Sequence, residues 1–326
     1  MVASASSSTS SRTSRISSTS EPGVSGSQRG IGRRLYGLVR LVHPFPSTLD
    51  AVVTGVVAGI ATGRPDVVLR LALAMLSIQA AIGAANDMVD APADRGAKPD
   101  KPIPAGLVTP AMAARVSGVG FTAGLLLALS VSPWAFVLAL AGSLVGLAYD
   151  LRLKGTAASW LPFAVGIPLL PLFGWVGASG TAPVPILVLA ALAIPAGAAI
   201  ALANALPDLE RDLGTGVSTA ATALGRIGSW RAVAVLQAVV VAGAAGSFTI
   251  IVGGPSNHGT WTAGEATASA IGTVGLAVSC VALGGGVFLS SRPGLTARQH
   301  GWELQAIATS ALAASWLGGI AVAGRF

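Results

Sequence analysis

Nine long apolar stretches constrain the fold of this chain more than any other feature of its sequence. A bilayer hydrocarbon core about 30 Å thick requires about 20 mostly apolar residues per helix. The stretches are Leu49–Ala61, Val67–Ala85, Ala111–Ser130, Pro133–Ala148, Ala157–Val176, Val184–Ala205, Ala232–Val252, Ala266–Leu289 and Leu304–Ala323. The first stretch is short, so we expect Pro44–Thr48 or a tilt to complete it. The sequence therefore predicts an all-α polytopic membrane protein, with about nine transmembrane helices bundled around a central cavity.

The composition supports the membrane class and excludes several kinds of site. Hydrophobic residues make up 52% of the chain and charged residues 10%, whereas a soluble domain carries about a quarter charged residues. The one cysteine, Cys280, rules out an intramolecular disulfide and is predicted to be a packing residue. The three histidines, His43, His258 and His300, form no cluster along the sequence, which gives no support for a zinc or haem site.

The chain divides into two regions by composition. Residues 1–34 are rich in serine and arginine and have few apolar groups, so we expect a disordered tail that could touch anionic lipid. Residues 35–326 contain all the apolar stretches and are predicted to form the transmembrane domain.

Basic residues are distributed unevenly between the two predicted membrane sides. With nine spans, 17 of the 20 lysines and arginines fall on the side of the N-terminal segment and of the loops at 86–110, 149–156, 206–231 and 290–303. The positive-inside rule makes this side cytoplasmic in a cell-membrane protein and puts the C-terminus outside. The basic pI of about 10.7 then reflects topology, so membrane lipid is an expected partner and nucleic acid is not.

The first chemically informative motif follows the second apolar stretch. In the segment 86–94, Asn86, Asp90 and Asp94 are spaced by four and would share one helix face, and Pro92 would let the helix end or bend. Stacked carboxylates repel one another unless a cation neutralises them. Hard oxygen ligands suit Mg²⁺, which typically binds one or two carboxylates together with substrate phosphates.

The second motif repeats this pattern at the end of the sixth apolar stretch. Asn204 is followed by Asp208 at +4 and by Asp212 at +8. Two copies of one acidic pattern, four helices apart on the same predicted membrane side, are hard to obtain by chance. We expect them to converge on divalent metal and a diphosphate.

Basic residues suited to phosphate lie between the two motifs. Lys98 and Lys101 follow the first motif, and Arg152 and Lys154 follow Tyr149 in a later loop on the same side. Cations beside metal-binding carboxylates are typical of a polyanion site. Each of them alone could equally be an anchor at the membrane surface.

These motifs together resemble the UbiA superfamily of intramembrane prenyltransferases. The pattern Asn-Asp-x-x-Asp-x-x-x-Asp and the later Lys101-Pro-Ile-Pro-x-Gly106 resemble its first signature, and Tyr149–Lys154 resembles its middle loop. The second signature is similar to Asp208-x-Glu-x-Asp212-x-x-x-Gly216-x-x-Thr219, and Arg40-Leu-Val-His43-Pro44 resembles the start of the family's first helix. Three departures stand out: Lys101 in place of Arg, Asn204 in place of Asp, and Thr219-Ala-Ala in place of Thr-Leu-Pro.

The resemblance implies a Mg²⁺-dependent transfer of a prenyl group from a prenyl diphosphate to a lipophilic acceptor, often aromatic in this family. It implies catalytic roles for Asp87, Asp90, Asp94, Asp208 and Asp212. It implies metal binding by Asn86, Asp90, Asp94, Asn204, Asp208 and Asp212. It implies substrate binding by Asn86, Lys101, Tyr149, Arg152, Lys154, Asn204 and Arg40. Arg40 or His43 would orient the acceptor, although a simple interfacial position is the plainer expectation for His43.

Other functions remain open at this point. A terpene cyclase on the same scaffold would use the same metal site without an acceptor. A cation-coupled transporter would place its carboxylates near the bilayer midplane rather than at helix ends. A CDP-alcohol phosphotransferase would carry an Asp-Gly-x-x-Ala-Arg run, which this sequence lacks. The acceptor, the prenyl chain length and the oligomeric state are not predicted.

Overall fold

The computed structural model describes residues 26–253 and 263–326, and this part of the chain is built from helices. They are α1 (Gly26–Leu41), α2 (Pro44–Thr62), α3 (Pro65–Ala97), α4 (Pro110–Leu129), α5 (Pro133–Ala148), α6 (Leu161–Ser179), α7 (Val184–Ala205), α8 (Leu209–Thr215), α9 (Ala220–Gly253), α10 (Ala263–Ser291) and α11 (Leu295–Val322). Within the described ranges, nine helices are long and apolar enough to cross a membrane, all except α1 and α8. The predicted all-α membrane fold is confirmed.

Several helices continue beyond the apolar stretches that predicted them. Helix α2 includes Pro44–Thr48, as expected. Helix α3 runs for 33 residues and passes through Pro92, where the sequence allowed an end or a bend. Helix α9 begins at Ala220 and α11 at Leu295, so parts of the predicted loops 206–231 and 290–303 are helical. Hydropathy marks only the part of a helix that lies in lipid, and polar helix ends escape it.

The predicted disordered tail lies mostly outside the described residues, but its last nine residues are helical. They belong to α1, which begins at Gly26. Apolar side chains recur at Ile31, Leu35 and Leu38, and this helical spacing was hidden by the polar composition of the segment.

The transmembrane helices pack around two main apolar clusters. One lies among α2 to α6 and includes the buried Leu71 and Phe173. The other joins α2 and α6 to α7, α9, α10 and α11 around the fully buried Trp316, whose indole Nε1 donates to the Ala244 carbonyl at 3.1 Å. Helix α3 packs along α2 and α4, and α10 packs along α11. The acidic motifs lie at the ends of α3 and α7, beyond these cores.

Irregular turns end the helices that carry the motifs. Helix α5 passes directly into a π-helical turn, Tyr149–Leu153. Helix α7 passes into a tight 3-10 turn, Leu206–Asp208, which leads into α8. Helix α8 ends at Thr215 and is followed by Gly216, and Gly225 interrupts the start of α9 with a φ of 66°, a backbone conformation that favours glycine.

Candidate active site

The first motif presents three carboxylates to one ammonium group. The Nζ atom of Lys101 lies 3.0 Å from Asp87 Oδ1, 3.4 Å from Asp90 Oδ2 and 2.8 Å from Asp94 Oδ2. Positions 87, 90 and 94 share a face of α3 because steps of three and four residues both return to the same side of a helix. The shared face therefore includes Asp87, whereas the sequence predicted Asn86, Asp90 and Asp94.

Local packing returns Lys101 toward α3. After α3 the chain turns through a hydrogen bond from the Lys101 amide to the Lys98 carbonyl, at 3.1 Å. Pro102 and Ile103 are buried, and Ile103 packs in a cluster with Ala91 of α3. Burial alone would disfavour the charged lysine, but attraction to Asp94, Asp87 and Asp90 outweighs it and raises the pKa of Lys101.

The middle loop brings a second lysine to the same helix face. Lys154 follows the π-helical turn, and its Nζ atom donates to Asp90 Oδ2. The same ammonium lies 5.9 Å from the centre of the Tyr149 ring, which packs edge-on against Phe163 at 5.5 Å. Lys154 and Tyr149, both predicted as substrate-binding residues, therefore lie beside the first motif.

Asp150 is an acidic residue of this region that the sequence did not assign to the site. It is 4% exposed, and Asn86 Nδ2 donates to its Oδ1 at 2.7 Å. Its Oδ2 accepts no hydrogen bond in the described structure. Its position between Tyr149 and the two basic residues was the available signal, since carboxylates at a membrane edge are usually functional.

His43 also belongs to the site, and its backbone is unusual. Its Nε2 lies 3.1 Å from Asp87 Oδ1. Among the described residues other than glycine, His43 alone has a positive φ, 48°, at the turn before Pro44. Gly83 leaves room for the ring, because a Cβ atom there would lie 3.2 Å from His43 Cγ. The plainer expectation of a simple interfacial histidine does not describe this position.

The second motif is tied to the first by a lysine. Lys98, the residue after α3, places its Nζ 2.8 Å from Asp208 Oδ2. Arg211 lies 2.9 Å from Asp208 and 3.2 Å from Asp212. Burial opposes the charge on Asp208, but hydrogen bonds and attraction from Lys98 and Arg211 outweigh it and lower the pKa of this carboxyl.

A buried arginine anchors the turn that carries Asp208. Arg298 of α11 is 4% exposed and donates to the Leu206 carbonyl at 2.7 Å, to Glu210 at 2.6 Å and to the Pro293 carbonyl at 2.7 Å. The hydrogen bond from Arg298 lowers the pKa of Glu210. Among the described contacts, Glu210 pairs with Arg298, which ties the second motif to α11.

Three predicted site residues are not brought to the carboxylates. Arg40 lies over the ring of Tyr36 on its own helix, at 5.6 Å. Arg152 is exposed on the π-helical turn, and Asn204 is half-buried near the end of α7. No described contact joins any of the three to either motif, so their assignment stays a prediction.

The two motifs and the middle loop nevertheless surround one region. Carboxylates of both motifs, Asp90 from the first and Asp208 and Asp212 from the second, act electrostatically on the Tyr149 hydroxyl. Within the described residues, no three acidic, histidine or cysteine side chains are already arranged to hold a metal ion. Lysine and arginine side chains pair with these carboxylates instead, and the predicted metal-ligand set stays a prediction.

A separate cleft lies on the side of the bundle. It has a volume of about 620 Å³ and opens between α1, α2, α3 and α4, and Val39, Pro44, Leu76, Val119 and Arg115 are among its mostly apolar lining. None of the acidic motif residues lines this cleft.

Comparison with known proteins accounts for this arrangement. The sequence profile of the UbiA prenyltransferase family matches residues 51–285. The chain belongs to the UbiA prenyltransferase family. It is an integral membrane prenyltransferase, and both acidic motifs and the middle loop fall within the matched range.

Relatives of known sequence include two enzymes that share one name. The chain is 34% identical over 194 residues to the digeranylgeranylglyceryl phosphate synthase of Methanopyrus kandleri, an alignment that covers 57% of this chain and 69% of the relative. It is 30% identical over 196 residues to the enzyme of the same name from Methanoregula boonei, which covers 58% of this chain and 68% of the relative.

Solved structures of UbiA proteins share the fold. A structure described as a digeranylgeranylglyceryl phosphate synthase in membranes aligns with a TM-score of 0.63 and 16% identity, and covers 88% of this chain and 98% of that one. A UbiA homologue from Archaeoglobus fulgidus bound to DMAPP and Mg²⁺ aligns with a TM-score of 0.62 and 16% identity, and covers 89% and 99%. At this identity the likeness establishes the fold.

Proposed function

We propose that this UbiA family protein transfers a prenyl group from a prenyl diphosphate, bound with Mg²⁺, to a lipophilic acceptor in the membrane. The observation that supports it most is the contact between Lys98 and Asp208, two residues 110 positions apart, which ties the end of the first motif's helix to the second motif. Lys101 and Lys154 lie on the same side of the first motif. Alternating carboxylates and ammonium groups at one end of the helices suit a metal-bound diphosphate.

The donor set fits Mg²⁺. The side chains are hard oxygen donors, and three of their carboxylates already converge within 3.4 Å of one cation, the Lys101 ammonium. The proposed ligands are Asn86, Asp90, Asp94, Asn204, Asp208 and Asp212, with Asp87 beside them. When bound, Mg²⁺ would neutralise negative charge on the diphosphate leaving group. The Archaeoglobus fulgidus homologue, bound to DMAPP or GPP with Mg²⁺, supports Mg²⁺ as the metal.

The chain's own cations supply the rest of the charge balance. In this proposal Lys101, Lys154 and Tyr149 bind diphosphate oxygens, and Arg152 adds a further contact from the loop. Negative charge builds on the diphosphate leaving group as the allylic C–O bond breaks. Cations that are already fixed in place stabilise this charge and lower the barrier to C–O cleavage. The apolar helices around the prenyl chain exclude water from the resulting cation.

The acceptor is the least defined part of the proposal. Both curated relatives named above are digeranylgeranylglyceryl phosphate synthases, so a geranylgeranylglyceryl phosphate is the first acceptor to test. An aromatic acceptor, which the family resemblance implied, is the second. The charge distribution supports a cell-membrane location with the active-site loops facing the cytoplasm.

The test is transfer activity of the full chain in lipid nanodiscs with Mg²⁺, geranylgeranyl diphosphate and each acceptor. We expect Asp90→Ala and Asp208→Ala to lower turnover about 100-fold or more, because each removes a charge that balances the lysines. Asp100→Ala is the matched control, since Asp100 is exposed and has no described contact with either motif. Unchanged turnover in both variants would contradict the site, and a hydrocarbon product formed without acceptor would indicate a cyclase instead.

A further inference from the structure

A carboxyl group lies deeper in the bundle than the acidic motifs. Asp50 is in α2, and its Oδ2 accepts a hydrogen bond from Gln79 Nε2 of α3. The transfer site proposed above uses neither residue. An ionisable side chain within a membrane span is costly and usually marks a functional position.

Asp50 is on the inward face of its helix. Ser47, Thr54 and Val57, at steps of three, four and seven residues from it, are 2%, 0% and 4% exposed, whereas Val52 on the opposite face is 62% exposed. Asp50 itself is only half-buried. Because its neighbours on this face are covered and its carboxylate pairs with Gln79, Asp50 faces α3 rather than lipid. Asp50 does not line the cleft between α1, α2, α3 and α4.

The pair continues a polar column that begins at the first motif. On α3, Gln79, Gly83 and Asp87 follow one another at steps of four, so they share one face. The ring of His43 packs on Gly83 and contacts Asp87, and Asp50 lies two helical turns after His43 on α2. Eight residues of α3 separate the two levels, which is a depth of about 12 Å.

We propose that Asp50, positioned by Gln79, binds the hydroxyl group of the acceptor and selects hydroxyl-bearing acceptors. This inference rests on the proposed transfer function. Gln79 holds one carboxylate oxygen, and the other oxygen can accept a hydrogen bond from an alcohol or phenol. A site that hydrogen-bonds a hydroxyl discriminates strongly against a ligand that lacks it, because the buried partner is then left unpaired. A methyl ether of the same acceptor would meet this penalty.

The experiment compares two acceptors in wild type and two variants. The acceptors are geranylgeranylglyceryl phosphate and its O-methyl ether, and a phenol with its methyl ether forms a second pair. The acceptor KM and the inhibition constant of the ether are measured with full-length protein in nanodiscs at saturating geranylgeranyl diphosphate and Mg²⁺. In wild type we expect the KM of the hydroxyl acceptor to be about tenfold or more below the inhibition constant of its ether. In Asp50→Ala we expect this ratio to fall to about twofold.

Controls separate recognition from a structural effect. Asp50→Asn keeps the volume of the side chain and the contact with Gln79, so it answers the question if Asp50→Ala does not fold. Gln237→Leu removes a different buried polar pair, in which Gln237 donates to Gln305 at 3.4 Å, and should leave the preference unchanged. The KM for geranylgeranyl diphosphate should stay within about twofold in the Asp50 variants, because their change lies away from the diphosphate.

The two possible failures are distinguishable. If wild type transfers no prenyl group to any acceptor, the proposed function itself is contradicted. If wild type is active and both Asp50 variants keep the full preference for the hydroxyl form, the transfer function stands and the role of Asp50 is overturned.

Discussion

The Nζ atom of Lys98 lies 2.8 Å from Oδ2 of Asp208, and this contact joins the end of α3 to the turn after α7. Each partner is about one-third exposed, so the pair is screened in part by solvent. The contact therefore contributes little to stability. Its main effect is to set the distance between the two acidic motifs.

Replacing Lys98 should impair the site without unfolding the protein. We expect Lys98→Met to lower kcat/KM about tenfold or more, since Asp208 loses a cation and the motifs lose their link. Steady-state assays over a range of prenyl diphosphate and Mg²⁺ concentrations measure this. Arg95→Met is the control, because Arg95 is an exposed cation of the same helix end with no described contact. Equal activity of the two variants would show that the link is dispensable.

The ion pairs should give stability a broad pH plateau. The pKa of Asp208 is lowered, so its contribution is present above its unfolded pKa near 4 and is lost as the pH falls through its folded value. The pKa of Lys101 is raised, so its contribution is present below its unfolded pKa of about 10.4 and is lost as the pH rises through its folded value.

Thermal unfolding measured from acid to alkaline pH checks this. The difference in Tm between wild type and Asp208→Asn should stay constant from about pH 5 to pH 9 and shrink below about pH 4. A Tm difference that does not change with pH would contradict the assignment of Asp208 as a stabilising carboxylate.

Gly83→Ala should displace His43. The new methyl group would lie 3.2 Å from His43 Cγ and 3.3 Å from the Leu41 carbonyl oxygen, tighter than most real contacts. We expect a loss of about 1–3 kcal/mol in stability and a clear fall in turnover, because the His43 contact with Asp87 is disturbed. The comparison is Gly142→Ala, a helical glycine of α5 with open space around it. Activity and Tm equal to those of the control would mean that the ring moves aside freely.

Arg298→Met should weaken the turn that carries Asp208. It removes the Arg298 hydrogen bonds to the Leu206 and Pro293 carbonyls, and hydrogen bonds from a charged donor are worth about 1.5–3 kcal/mol each. Tm and protease sensitivity near residues 206–212 measure the effect. Arg292→Met is the matched variant, because Arg292 is an exposed cation that stacks on Phe288. A similar small change in both variants would contradict the anchoring role.

The sequence predicted the number of spans and the approach of the two motifs, for clear physical reasons. Apolar stretches report the lipid-embedded part of each helix, and a repeated acidic pattern indicates a shared ligand. The sequence did not predict where α3, α9 and α11 extend into polar segments. Helix propensity in a polar segment leaves no hydropathy signal.

The sequence also did not predict side-chain contacts between residues that are far apart along the chain. Helical spacing allows both Asn86 and Asp87 to join Asp90 and Asp94, and only the position of Lys101 decides between them. The same holds for His43 with Asp87 and for Arg298 with Glu210, whose contacts depend on how helices far apart in sequence pack.

The length of α3 has a consequence for how a lipid-like substrate would be captured. Its 33 residues extend about 50 Å, whereas the hydrocarbon core of a bilayer is about 30 Å thick. We therefore expect the carboxylates of its last three turns to lie at the depth of phospholipid headgroups. An amphiphile already in the leaflet would present its charged headgroup at that depth and its hydrocarbon tail below. It could therefore enter laterally from the bilayer, without flipping and without moving its charge through the hydrocarbon core.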